Sequence, residues 1–179
     1  MDDKEILIKI RDKASRENGF SLLVNKYQQR IYWHIRKMVI DHDDTDDILQ
    51  EVFIKVWKGI DRFREDSSLY TWIYRIATHE CLNFLNRKRR RSMFSLGDVN
   101  KELSTKLDQS VHIEGDEIKL KLQKALLKLP DKQRLVFNMK YFDDMKYEEI
   151  AAITGTSVGG LKANYHLAVK KIEEILAGN

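Results

Sequence analysis

A single proline, a single cysteine and eight glycines are spread over 179 residues. One cysteine excludes an internal disulfide framework and a thiolate metal cluster. So little proline and glycine leaves scant material for the turns of a β-sandwich. No apolar run approaches the roughly 18 residues of a membrane-spanning helix, and the N-terminal MDDKEILIKI does not read as a signal peptide. With 42% hydrophobic and 34% charged residues, the chain is too apolar for a disordered one. These exclusions leave a soluble, intracellular, mainly helical protein, long enough for one ordinary domain or two small ones.

The net charge of +4 is mild, but its distribution is informative. Residues 1–61 are nearly neutral, with 11 basic and 12 acidic side chains. Residues 62–91 carry 8 basic against 3 acidic, residues 92–116 carry 2 against 5, and residues 117–179 carry 11 against 8. Two basic bodies joined by an acidic tether suggest two contacts with a polyanion, nucleic acid first among them.

Phe20, Leu23, Val24, Tyr27, Ile31, Ile35, Met38 and Val39 recur at helical spacing. An acidic knot follows over 41–47, where Thr45 reads as the N-cap of a helix with Asp46 and Asp47 in its first turn. That helix turns Leu49, Val52, Phe53, Val56 and Ile60 inward and shows Asp47, Gln50, Glu51, Ile54, Lys55 and Lys58 outward. Residues 61–68 read as a loop in which Ser67 or Ser68 caps the next helix. Leu69, Ile73, Ile76, Ala77, Phe84 and Leu85 face inward there, with Thr71, Tyr74, Arg75, Thr78, His79 and Asn86 opposite. Residues 92–116 read as a flexible linker, with Leu103 and Leu107 able to form a brief turn. Ile118, Leu120, Leu122, Leu126 and Leu127 open a second body, and Pro130 restarts a helix from its first position. The expected fold is all-α: two small helical domains, 1–91 and 117–179, joined by a flexible acidic linker over 92–116.

Residues 147–162 have a helix-turn-helix layout. Gly155 supplies the left-handed residue of the turn, Ser157 caps the second helix, and Val158 and Leu161 pack it back. Its outer face is Gly159, Lys162, Ala163, His166 and Lys170, suited to a major groove. The aromatic stretch Tyr70-Thr71-Trp72 with Arg75 suits unstacked bases; Trp72 is expected mostly buried, and Tyr70, Thr71 and Arg75 nearer solvent. Arg87, Lys88, Arg89, Arg90 and Arg91 form a phosphate patch acting by counterion release. The acidic knot lacks the glycine and the closing glutamate of a calcium loop and reads as a solvated capping run. His34, His42, His79, His112 and His166 show no ligand spacing, and no phosphate loop or nucleophile elbow occurs. No active site, metal or cofactor is indicated.

Residues 46–57, DDILQEVFIKVW, resemble the core-binding helix of bacterial sigma factors. Residues 63–77, FREDSSLYTWIYRIA, resemble the promoter-melting and minus-ten-reading segment that follows it. Leu129-Pro130 with YEEIA at 147–151 and the Ser157 helix resembles the minus-thirty-five-binding domain. Without a long middle or N-terminal region, the chain is identified as a member of the extracytoplasmic-function group.

The resemblance implies a transcription initiation factor that is not an enzyme. It sets Asp47, Gln50, Glu51 and Lys55 against the clamp helices of the polymerase largest subunit. The loop and helix residues Arg62, Arg64, Asp66, Ser67, Tyr70, Thr71, Trp72, Arg75 and His79 would take minus-ten single-stranded DNA with a base flipped out. Ser157, Gly159, Lys162, Ala163, His166 and Lys170 would take minus-thirty-five duplex, and the second body would lean on the flap of the second-largest subunit. The linker would pass through the polymerase cleft. An anti-sigma partner would hold the protein inactive in the cytoplasm or at the inner membrane. Four positions depart from the family pattern, at His79, Asn83, Gly160 and Leu167, so base preference does not carry over. Two rivals are a free-standing helix-turn-helix regulator and a metal-dependent nuclease using the carboxylates of residues 41–47.

Overall fold

The computed structural model describes residues 1–92, 96–110 and 117–178. The linker positions 93–95 and 111–116, His112 among them, lie outside the described residues. The first body is built from α1 (Asp3–Arg11), α2 (Arg16–Val39), α3 (His42–Gly59) and α4 (Leu69–Ser92). The Asp2 N–H donates to the Glu5 carboxylate at 3.1 Å and starts α1, whose Ile6, Leu7 and Ile10 are buried in one core with Leu23 and Tyr27 of α2. The stripe expected along α2 is buried at Ile31, Ile35, Met38 and Val39, and half-buried at Phe20 and Val24. The helix stops at Ile40, whose φ of 67° is costly for a β-branched residue.

Thr45 is not the N-cap of α3. Asp41 takes that place, its side chain accepting from the Asp44 N–H at 2.9 Å. Thr45 is buried one turn in, where its hydroxyl donates to the Asp41 carbonyl at 2.6 Å. The knot thus begins the helix four residues earlier than its hydroxyl suggested, since any of its carboxylates can cap. The outward face expected for α4 is also corrected at Thr71, Tyr74 and Thr78, which are buried. This helix is covered by α2 and α3 and again by residues Tyr147–Thr154 of the second body, so more than one face is removed from water.

His34, buried in this core, places Nε2 2.9 Å from the Thr78 hydroxyl. Burial pushes its pKa down to about 3, with repulsion from Lys37 adding to it. An unfolded chain takes up that proton near pH 6.5, so stability is lost as pH falls from about 6.5 toward 3, by at most about 1.4 kcal/mol per unit. In urea titrations between pH 7 and 4.5, His34→Gln is therefore expected to lose stability with a shallower slope than the natural chain. Equal slopes would show that this ring does not set the acid sensitivity.

Residues 96–110, expected within a flexible tether, form a helix, α5 (Leu96–Ser110). Val99, Leu103 and Leu107 are spaced by four, and all three are buried in the large core. Ion pairs fasten the helix at its rim: Lys88 to Glu102 at 3.0 Å, and Lys106 to Asp41 at 3.3 Å and Asp44 at 3.6 Å. The apolar spacing was present in the sequence, but the surface that rewards it is formed only when α4 has folded into the core.

The second body holds α6 (Glu117–Leu126), α7 (Asp131–Phe137), α8 (Tyr147–Thr154) and α9 (Val158–Ala177). Ala125, Leu126, Leu129, Phe137, Ala168 and Ile172 make its own core, while Ile118 stays exposed. Pro130 is the N-cap of α7 rather than its first helical residue. The helix runs into a single π turn over Asn138–Phe142, closed by the Asp143 N–H donating to the Asn138 carbonyl at 3.2 Å.

The two bodies are packed together. Leu127, Leu135, Val136, Met139, Ile150 and Ile153 belong to the same core as α2 and α4. Arg89 pairs with Asp131 at 2.5 Å, and Lys37 pairs with Asp143. Arg134, only 1% exposed, donates from Nη2 to the Met38 carbonyl at 2.9 Å. Its Nε and Nη1 are buried with no partner among the described residues.

Candidate nucleic-acid and polymerase interface

On α3 the predicted residues Asp47, Gln50, Glu51 and Lys55 are all exposed, on the side away from Val52 and Val56. Ile54, 40% exposed, adds an apolar group among them. The Lys55 ammonium also reaches α4, where it donates to Glu80 Oε1 at 2.5 Å.

After α3 the chain makes a short 3-10 turn and a loop anchored at both ends. Arg16 holds Asp61 through two hydrogen bonds of 2.7 and 2.9 Å, and Arg11 holds Glu65 at 2.7 Å. Glu65 itself has a positive φ of 61°. The loop and α4 form a shallow hollow of about 170 Å³, lined by Arg62, Phe63, Arg64, Asp66, Ser67, Trp72 and Arg75. Its aromatic wall is Phe63 against Trp72, their ring centroids 5.0 Å apart. A flat ring flanked by cations is what an unstacked base needs.

Tyr70 and Thr71 do not join this hollow. The Arg30 guanidinium lies over the Tyr70 ring at 4.7 Å, and Tyr70 lines a separate hollow with Lys26, Tyr27 and Glu149. Thr71 is buried, its N–H donating to the Ser68 hydroxyl at 3.1 Å, so it serves the helix start. Ser68, one of the two expected caps, does the capping. The Arg75 guanidinium donates from Nε and Nη2 to the Ala152 carbonyl of α8, at 3.1 and 2.7 Å. His79, one turn further along α4, is exposed beside Asn83, with Asn83 Nδ2 3.2 Å from its Nδ1.

Within the basic run, Arg87, Arg90 and Arg91 are exposed. Lys88 and Arg89 are engaged with Glu102 and Asp131. Arg87, Lys88, Arg91 and Lys106 line an open hollow with Phe84 and Asp44.

In the second body Gly155 has a φ of 73° and ends α8, its N–H donating to the Ala151 carbonyl. Ser157 caps α9, accepting from the Gly160 N–H at 3.1 Å. A Cβ on Gly160 would come to 3.2 Å from the Ser157 hydroxyl and from Thr156 Cγ2, a tight fit beside the cap; a Cβ on Gly159 would meet nothing. Gly159, Lys162, Ala163, His166 and Lys170 lie exposed on α9, and Leu161 packs inward. Among the described residues, no three His, Cys, Asp or Glu side chains converge on a metal-sized site.

Residues 23–91 match the family described as Sigma-70 region 2, and residues 119–172 match Sigma-70, region 4. The ECF RNA polymerase sigma-E factor of Escherichia coli (strain K12) is 30% identical over 174 residues, 91% of this chain and 89% of that protein. The RNA polymerase sigma-H factor of Pseudomonas aeruginosa PAO1 is 32% identical over 177 residues, 93% of this chain and 90% of that protein. The chain belongs to the ECF group of sigma-70 family sigma factors.

As a sigma factor it is a transcription initiation factor and not an enzyme. Region 2 runs from within α2 to the end of the basic run, and region 4 from α6 into α9. The fold is shared with the structure of CnrH in complex with the cytosolic domain of CnrY, at a TM-score of 0.70 and 23% identity over 99% of both chains. It is shared too with the sigma factor RpoE in complex with the anti-sigma factor NepR from Bartonella quintana. There the TM-score is 0.68 at 21% identity, over 88% of this chain and 96% of that one. The matches to regions 2 and 4 leave out α1 and α5, so the docked helix between the sigma regions lies outside both. Sequence reading missed Phe63 as a wall of the hollow, Glu80 as the partner of Lys55, and the Ala152 carbonyl as the acceptor for Arg75. For Glu80 the signal was its place as the one acidic residue of α4.

Proposed function

We propose that this sigma factor docks on core RNA polymerase through Asp47, Gln50, Glu51 and Lys55 of α3. It reads the minus-ten element as single strand in the hollow at Phe63 and Trp72, and the minus-thirty-five duplex with α9. The observation that carries this reading is the hollow, where Arg62, Arg64, Asp66, Ser67, Trp72 and Arg75 converge. The exposed Arg87, Arg90 and Arg91 lie further along α4 to hold the strand's phosphates. Base capture and phosphate contact favour the melted strand over duplex, and that difference drives opening. The exposed face Lys162, Ala163, His166 and Lys170, behind a capped N-terminus, suits a major groove.

The setting is the cytoplasm, where core polymerase and DNA are found; no described helix is long and apolar enough to cross a membrane. Since the two structural neighbours include a sigma factor held by an anti-sigma factor, we extend the reading to an anti-sigma partner that masks both surfaces, at the inner membrane where that partner is anchored there. The polymerase flap is the second-body partner.

Promoter-directed RNA synthesis with purified core polymerase tests the reading. Discrete promoter-specific transcripts are the expected result. Tight binding of DNA alone with no transcript from any promoter would mark a free-standing regulator and end the sigma proposal. Lys162→Ala is expected to weaken binding of upstream duplex by about 1–3 kcal/mol for a base-edge contact. A loss confined to the cognate sequence shows base reading, whereas an equal loss across sequences shows phosphate contact.

A further inference from the structure

Glu80 is the one acidic side chain of α4, and it is only 6% exposed. A carboxylate withdrawn from water at the seam between two helices must be matched by charge or by donors. Two ionisable groups lie within 4 Å of it among the described residues. Lys55 reaches across from α3 to Oε1 at 2.5 Å. His79 Nδ1 stands 3.7 Å from that same oxygen, and Asn83 Nδ2 lies 3.2 Å from the same nitrogen. Both partners are amphibious: the Lys55 side chain is 44% exposed and that of His79 is 71% exposed. Lys55 belongs to the proposed docking face; His79 lies outside the hollow at Phe63 and Trp72, one turn beyond Arg75, with which it lines the neighbouring pocket.

We infer that Glu80 is a positioning residue that couples polymerase docking at Lys55 to base reading at His79. The inference rests on the proposed docking and strand-binding faces above. An ammonium offers three donors as a compact point charge, so an acidic group on the polymerase competes with Glu80 for it. Each share of Lys55 taken by the partner leaves Oε1 less neutralised and draws the His79 ring toward it, away from Asn83. The base edge offered by His79 thus differs between free protein and holoenzyme. By linkage, strand binding at His79 returns the same coupling to the docking step. The two ends lie on different helices, and a single oxygen atom joins them.

The test uses the full chain assembled with core polymerase, and single-stranded non-template minus-ten oligonucleotides that differ at one base. The measured quantity is the ratio of affinities for the preferred and the substituted base, alongside affinity for core and the unfolding temperature. Glu80→Gln keeps the shape and removes the charge. It is expected to lower the ratio at the position read by His79 by about fivefold and to strengthen core binding, because Lys55 is released from its competitor. Lys55→Met, which takes the ammonium away from Glu80 but keeps an unbranched side chain of similar length, is expected to lower the same ratio although it faces away from the strand. Adding His79→Ala to Glu80→Gln is expected to lower it no further. A merely structural Glu80 would change the unfolding temperature and leave the ratio untouched in both Glu80→Gln and Lys55→Met, and that result overturns the coupling. Should the natural chain fail to bind core or the oligonucleotides at all, the docking reading falls and the coupling with it.

Discussion

Gln50→Ala together with Glu51→Ala is expected to weaken binding to core polymerase about a hundredfold, with the unfolding temperature unchanged. Both side chains are exposed on α3, and neither takes part in a hydrogen bond or ion pair described above, so truncation removes little from the fold. They sit in the middle of the polar face, between Asp47 and Lys55. Interface residues at the centre of a patch carry most of the binding energy, and a residue that matters there costs more than about 1 kcal/mol when truncated. A loss of roughly 2–3 kcal/mol for the pair corresponds to the hundredfold stated. Titration of labelled core with each chain reads the affinity, and thermal unfolding reads the fold. An unchanged affinity would move the docking surface off this face.

Leu103→Asp is expected to release α5 from the first body without unfolding the rest. Leu103 is fully buried and sits between Val99 and Leu107 on the docked stripe. Losing its apolar contact costs about 2–5 kcal/mol, and a carboxylate among these apolar side chains adds the cost of an unmatched charge. A 15-residue helix detached from its support is marginal in water, so α5 melts instead of burying the charge. Hydrogen exchange would then show α5 amides losing protection while α2 and α4 keep theirs. Lys106 would leave Asp41 and Asp44 at the start of the docking helix in the same step. Retained protection across α5 would mean that the ion pairs at its rim, and not Leu103, hold it.

What could be read beforehand was local. The turn at Gly155, the cap at Ser157 and the outward face of α9 follow from residues within one or two helical turns of each other. The polar face of α3 follows from its spacing alone. The arrangement between distant segments could not be read in that way. Lys37 meets Asp143 across 106 positions, and Arg134 meets Met38 across 96. Periodicity reports which side of a helix is apolar, but not what covers it. That is why Thr71, Tyr74 and Thr78 looked outward and α5 looked like slack chain. The same gap separated the hollow from its sequence: Arg62, Arg64 and Trp72 stood out by type, while Phe63 was read only as part of the loop.

Arg134 gives the seam between the two bodies an unusual character. An apolar side chain there would add adhesion with every contact. The guanidinium instead spends one donor on the Met38 carbonyl and leaves two nitrogens dry. Parting the bodies hands those nitrogens back to water, refunding part of the contact that is lost. The apolar core that the two bodies share holds the closed shape, and Arg134 lowers the net cost of parting them.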